Sequence, residues 1–163
     1  MSNRRYARTT SDLSERFFVK CPYHLAQGYL SDDMKSRAAT GAPVTITLRA
    51  PIGSADLAKD VVVTVGAGVD PMHFDQPWKI HWTPKGGGPY PDFDGELTVR
   101  ADETYSSAIL ELRGTYRPPG GPLGAAFDHV AGQRIATATA QALLGELARA
   151  METRYHRDEQ AKK

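Results

Sequence analysis

The chain has 163 residues, 40% of them apolar and 24% charged, with 20 basic and 19 acidic side chains. That is the composition of one folded domain with a real core, and the near-zero net charge gives no electrostatic case for nucleic acid or an anionic membrane. One cysteine excludes an intrachain disulfide and fits a reducing, cytoplasmic setting, and no apolar run reaches the roughly 18 residues of a membrane span.

Residues 1–14 read as a mobile arm. Arg4, Arg5 and Arg8 are followed by a polar stretch with no apolar segment of the kind a secretory signal needs. A first strand is expected over Arg16–Cys21, with Phe17, Val19 and Cys21 on one face. Pro22 ends it and opens a helix carrying Leu25, Ala26, Tyr29 and Leu30; Ser31 is placed as the N-cap of a second short helix. Val44–Arg49 alternates, with Val44, Ile46 and Leu48 inward and Pro51 as a break; Val61–Val65 is a β-branched run ended by Gly66 and Gly68.

Trp78–Trp82 alternates again between Pro77 and Pro84. Phe93, Gly95, Leu97 and Val99 share a face, with Asp94, Glu96, Thr98 and Arg100 opposite. Asp102-Glu103-Thr104 suits a hairpin turn. The next strand sets Ala108, Leu110, Leu112, Gly114 and Tyr116 against Glu111 and Arg113, whose charges are expected on a wet face, in ordinary cross-strand pairs.

After Pro118-Pro119-Gly120-Gly121-Pro122, a helix about 50 Å long is expected from Leu123 to His156. Its stripe is Phe127, Val130, Ala131, Ile135, Ala138, Ala142, Leu143, Leu147 and Met151, and it must lie across the sheet to be buried. Gly132 and Gly145 each cost about 1 kcal/mol in a helix interior, so at least one is expected to be kept small by a close neighbour or to mark a bend. Residues 158–163 read as a polar tail. The expected fold class is therefore α+β: a curved antiparallel sheet of about six or seven strands, two short helices after the first strand, and one long C-terminal helix in the grip of the sheet. Residues 15–157 form the single domain.

No motif carries chemistry. Gly66-Ala67-Gly68 lacks a third glycine, and Gly120–Gly124 lacks the lysine of a phosphate loop. His24, His73, His81, His129 and His156 have no metal-ligand spacing, so no metal and no cofactor are assigned. No G-x-S-x-G elbow exists, and Cys21 reads as a buried small hydrophobe, so no catalytic residue is assigned. The expected inward sheet face holds no Asp, Glu, Lys or Arg; its polar atoms are the Tyr116 hydroxyl and the indole N–H groups of Trp78 and Trp82. Gly95 and Gly114 on that face either leave room for a ligand or let the sheet bend.

The element order resembles the START-like, or helix-grip, superfamily, which includes pollen-allergen-like, lipid-transfer and polyketide cyclase-like (SRPBCC) proteins. The run Ile109–Gly124, with Phe127-Asp128, Gly132–Ala136 and Pro91–Gly95, is similar to the last-strand-and-turn segment of small bacterial members of uncharacterised function. The resemblance implies the fold and a habit of binding a small hydrophobic molecule, lipid-like, aromatic or polyketide-like, in a cavity between sheet and helix. The expected lining is Phe17, Val19, Ile46, Trp78, Trp82, Phe93, Leu97, Leu110, Leu112, Tyr116, Phe127 and Ile135. It carries no catalytic residue over. Two alternatives stay open: a cyclase- or dehydratase-type enzyme using Tyr116 with a loop histidine such as His73, and an interaction module with a filled core, whose edges or Trp78/Trp82 strand mediate homodimerisation.

Overall fold

The computed structural model describes residues 10–40, 44–52, 55–66, 77–87, 90–117 and 129–163. In chain order the elements are β1 (Ser11–Val19), α1 (Tyr23–Thr40), β2 (Val44–Ile52), β3 (Ala55–Gly66), β4 (Trp78–Pro84), β5 (Asp92–Ala101), β6 (Ala108–Arg117) and α2 (His129–Ala161). The six described strands form one antiparallel sheet in the order β1-β6-β5-β4-β3-β2. Strands β2 to β6 are a meander, and β1 closes the far side against β6, so β1 and β2 are the two edges. α2 packs against both of them, which requires the sheet to curl around it.

The period-two alternation sets the register. Across the sheet, Phe17 faces Leu110 and Leu110 faces Val99; Leu112 faces Leu97, and Leu97 faces Trp78; Tyr116 faces Phe93, and Phe93 faces Trp82. All of these residues lie on the concave side. Each fully buried aliphatic side chain in such a face contributes about 1.5–3 kcal/mol of transfer free energy.

Several boundaries differ from expectation. β1 begins at Ser11 rather than at Arg16, because Ser11 pairs with Tyr116 and the full length of β6 is available as a template. Cys21 lies just past its end. The two short helices are one helix, α1: no glycine or proline follows Gly28 within it, and Ser31 caps nothing. Asp33 pairs with Arg37 one turn on at 2.8 Å, and Met34 continues the buried stripe of Ala26, Tyr29 and Leu30. Pro51 does not end β2, which tolerates proline because it is an edge strand.

α2 runs five residues beyond His156 to Ala161. Asp158 belongs to it, and its carboxylate accepts the Tyr29 hydroxyl at 2.8 Å, while the Arg154 guanidinium stacks 4.4 Å over the Tyr29 ring and pairs with Asp32 at 3.0 Å. Burial and that hydrogen bond push the Tyr29 phenol up to about 12. Leu123–Asp128, where the helix was expected to start, lie outside the described residues. The buried stripe is broader than expected, adding Ala136, Ala140, Leu144 and Ala148, because the helix meets α1 and both sheet edges; Val130 is exposed.

Gly132 and Gly145 are both buried, under the Tyr116 and Phe17 rings. A methyl at Gly145 would sit 3.4 Å from Phe17, and one at Gly132 would sit 4.0 Å from Tyr116. Both are ordinary contact distances, so packing obliges neither residue to be glycine. Replacing Gly132 with alanine should therefore raise stability by about 0.5–1 kcal/mol, read from denaturant unfolding. A loss of stability would contradict that packing.

Cys21 is fully buried, and burial followed by the Glu152 charge pushes its thiol up to about 11. Glu152 is held there by the Lys20 backbone N–H at 2.8 Å. The native thiol should resist iodoacetamide at pH 8 and react only on unfolding. A folded-state value above the unfolded one favours the protonated fold, so this contribution is intact below pH 9 and stability falls as pH climbs from 9 toward 11. Cys21→Ala should flatten that part of the stability–pH curve; rapid labelling of the native protein would overturn the assignment.

Candidate functional site

The concave face of β1, β6, β5 and β4, closed by α2, is the candidate site. Its floor is built around two glycines. Gly95 and Gly114 lie directly opposite each other on β5 and β6. A Cβ on Gly95 would run into the Phe93 ring and the Arg113 carbonyl; one on Gly114 would run into the Asp94 carbonyl and the same ring. Phe93 therefore lies over the glycine pair, and Trp82 stacks on it with ring centroids 4.1 Å apart and planes 18° apart. The room that the glycines leave is occupied by Phe93, not by an open space.

Most of the expected lining is core. Val19, Trp82, Phe93, Leu97, Leu110 and Leu112 expose nothing, and Ile135 and Tyr116 expose almost nothing. Phe17 and Trp78 are half-buried. The Ile46 side chain and the whole of Phe127 lie outside the described residues, as does His73. One acidic group does sit on the concave side: Glu15, at the β1 edge, where Gln141 of α2 donates to it at 2.5 Å. The shorter strand expected from sequence left it out.

Polar atoms on this side mostly have partners. The Trp82 indole N–H donates to the Pro91 carbonyl at 3.2 Å. Tyr90 and Thr139 share a short hydroxyl–hydroxyl contact, and Thr139 also donates to the Ile135 carbonyl at 2.7 Å. Burial pushes the Tyr90 phenol up to about 12. This Tyr90–Thr139 clasp joins α2 to the segment between β4 and β5, and no spacing in the sequence signals it.

Tyr116 differs. Its ring is 2% exposed, and among the described residues its hydroxyl has no hydrogen-bond partner. No fully buried side-chain nitrogen or oxygen among them lacks a partner, so the Tyr116 oxygen keeps contact with accessible space. It lies at the edge of an apolar interior, on the strand position opposite Ser11 and where the α2 backbone comes close at Gly132.

The opposite face is also unlike expectation. Glu111 was placed on a solvated face, yet it is 3% exposed. Arg16, Arg100 and Arg113 all turn their guanidiniums onto its carboxylate, and their stems cover it. His81, half-buried on the same face, pairs with Asp94 at 2.7 Å, and Arg117 pairs with the other Asp94 oxygen at 3.2 Å. Among the described residues no helix is long and apolar enough to cross a membrane.

No protein-family model and no curated protein sequence matches the chain. Among solved structures, the chain superposes on Ara h 8.0201 with a TM-score of 0.50 at 10% sequence identity, covering 90% of this chain and 98% of that one. The ZhuI aromatase/cyclase from Streptomyces sp. R1128 gives a TM-score of 0.48 at 11% identity, over 91% of this chain and 95% of that one. A curled antiparallel sheet wrapped around one long C-terminal helix, shared over most of both chains with Ara h 8.0201, is the helix-grip fold, and this chain has it.

Proposed function

We propose that the protein binds a small hydrophobic molecule, lipid-like, aromatic or polyketide-like, between the concave sheet face and α2. The observation that carries this reading is the combination of a largely apolar concave face with an almost buried hydroxyl, that of Tyr116, left without a partner among the described residues. Small-molecule sites are mostly apolar with a few orienting polar groups, and an unpaired hydroxyl at the rim of such an interior supplies one. The half-buried Trp78 offers a second, its indole N–H also being without a partner among the described residues. The ligand-binding habit implied by the helix-grip resemblance points the same way.

The packed residues constrain where the molecule would sit. Val19, Leu97, Leu110 and Leu112 expose nothing and Ile135 almost nothing, so the ligand belongs at the edge of the face marked by the Tyr116 hydroxyl and the half-buried Trp78 rather than among those side chains. Among the described concave residues the acid is Glu15, opposite Leu112 and accepting from Gln141; His73, the partner named for a cyclase or dehydratase, lies outside them.

An uncharged apolar dye, Nile red, should gain fluorescence on mixing with the folded protein, and 1-naphthol should displace it. Tyr116→Phe should weaken 1-naphthol by about 0.5–1.5 kcal/mol, the value of one neutral hydrogen bond, and leave Nile red almost unchanged. Absence of Nile red uptake by folded protein would refute the carrier reading and favour a filled core. Equal 1-naphthol affinity in Tyr116→Phe would remove Tyr116 from the site.

A further inference from the structure

The convex face carries a feature that the concave reading does not use. Glu111 sits at its centre, almost completely buried, on the middle of β6. One carboxylate oxygen accepts Arg16 Nε at 2.9 Å and an Arg100 terminal nitrogen at 3.3 Å; the other accepts Arg113 Nε. A buried carboxylate needs charge partners, but one cation suffices for that. Three guanidiniums are gathered here, and each is still more than half exposed.

A guanidinium has five N–H donors, and each of these three spends one on Glu111. The remaining donors belong to heads that Glu111 holds in place and that stay more than half exposed. Glu96 stands directly opposite Arg113 in the register, yet Arg113 turns to Glu111 instead. Three cations meet at Glu111, and two of them, Arg100 and Arg113, line the same surface as Glu96 and Glu111.

Beside the arginines is a depression of about 610 Å³, within the range of small-molecule sites, lined by Tyr23, Glu96, Arg100, Tyr105, Glu111 and Arg113 among others. Its aromatic wall is Tyr105 with Tyr23, edge to face at 6.3 Å and 66°. Tyr105 has φ of 59°, a conformation that L residues other than asparagine and aspartate rarely take. That turn aims its carbonyl at the Tyr23 N–H at 3.3 Å, capping α1, and leaves its ring 66% exposed over the depression. The Asp102 carboxylate fixes the turn by accepting the Ser107 hydroxyl at 2.5 Å and the Thr104 N–H at 3.2 Å.

The geometry points to a second binding site here, for an aromatic molecule bearing a carboxylate or phosphate: the anion on Arg100 and Arg113, the ring against Tyr105. Pre-oriented guanidiniums match planar or tetrahedral oxyanions, and an exposed tyrosine ring supplies stacking that a bare ion does not use. The site is on the other side of the sheet from Tyr116 and stands independently of the carrier reading.

The test is an amide and arginine Nε NMR titration of the whole chain with phenyl phosphate, benzoate and inorganic phosphate. Saturable shifts are expected at Arg100, Tyr105 and Arg113, with phenyl phosphate or benzoate at least about fivefold tighter than inorganic phosphate. Which of the two aromatic anions binds better assigns the anionic group. Tyr105→Asn, which keeps a residue suited to positive φ, should bring phenyl phosphate down to the affinity of inorganic phosphate. Arg100→Gln should weaken all three anions by roughly tenfold. It leaves Glu111 paired with Arg16 and Arg113, so the fold should persist. No shift at millimolar anion, shifts confined to the concave side, or an unchanged aromatic preference in Tyr105→Asn would each overturn the proposal.

Discussion

Everything in this fold depends on one long helix covering a sheet that is apolar on one side only. α2 must bury Ile135, Leu144, Leu147 and Met151, and the sheet must bury Leu97, Leu110 and Leu112. Among the described residues neither surface has another partner of comparable length. The sheet satisfies both by curling until its two edge strands touch the same helix. That closure also protects the inner sides of β1 and β2, the strands whose exposed edges would otherwise invite pairing with another chain. α1 then closes one end, tied to α2 by the Tyr29–Asp158 hydrogen bond and the Arg154 stack.

The same constraint shapes the interior. A curled sheet brings its concave side chains together, so large residues on adjacent strands collide unless some are absent. Gly95 and Gly114 are those absences, and Phe93 fills the space they leave. Trp82 stacks on Phe93 and tops the pile. The α2 backbone comes down on Tyr116 at Gly132, near its start, and on Phe17 at Gly145, at its middle. The result is a core dense in its middle, with the unpartnered Tyr116 hydroxyl at its edge.

Inward and outward phase was legible because it depends only on period two, and the registers of β4, β5 and β6 match it residue for residue. Ends of elements were less legible. β1 extends to Ser11 because β6 offers partners, a tertiary fact invisible in the polar run Ser11-Asp12. Ser31 carries a capping signal that the continuous burial of Met34 overrides. Glu111 shows the sharpest limit. Alternation correctly put it on the convex face, yet a face is not an exposure, and three arginine stems from β1, β5 and β6 bury it. Of the candidate site, the apolar character of the concave face was readable and its packing was not. Whether Leu112 borders a space or another side chain depends on which neighbours meet it across strands, and here they fill the gap.

The central claim is that a hydrophobic molecule enters beneath α2 at Tyr116. The most direct measurement is an isotope-edited NOE experiment on the ¹³C,¹⁵N-labelled protein with unlabelled 1-naphthol. Cross-peaks from naphthol protons to the Tyr116 ring, the Ile135 methyl groups and the Gly132 amide are the predicted result. Cross-peaks only to convex-face residues such as Arg100 and Tyr105, or none from a folded protein, would contradict it.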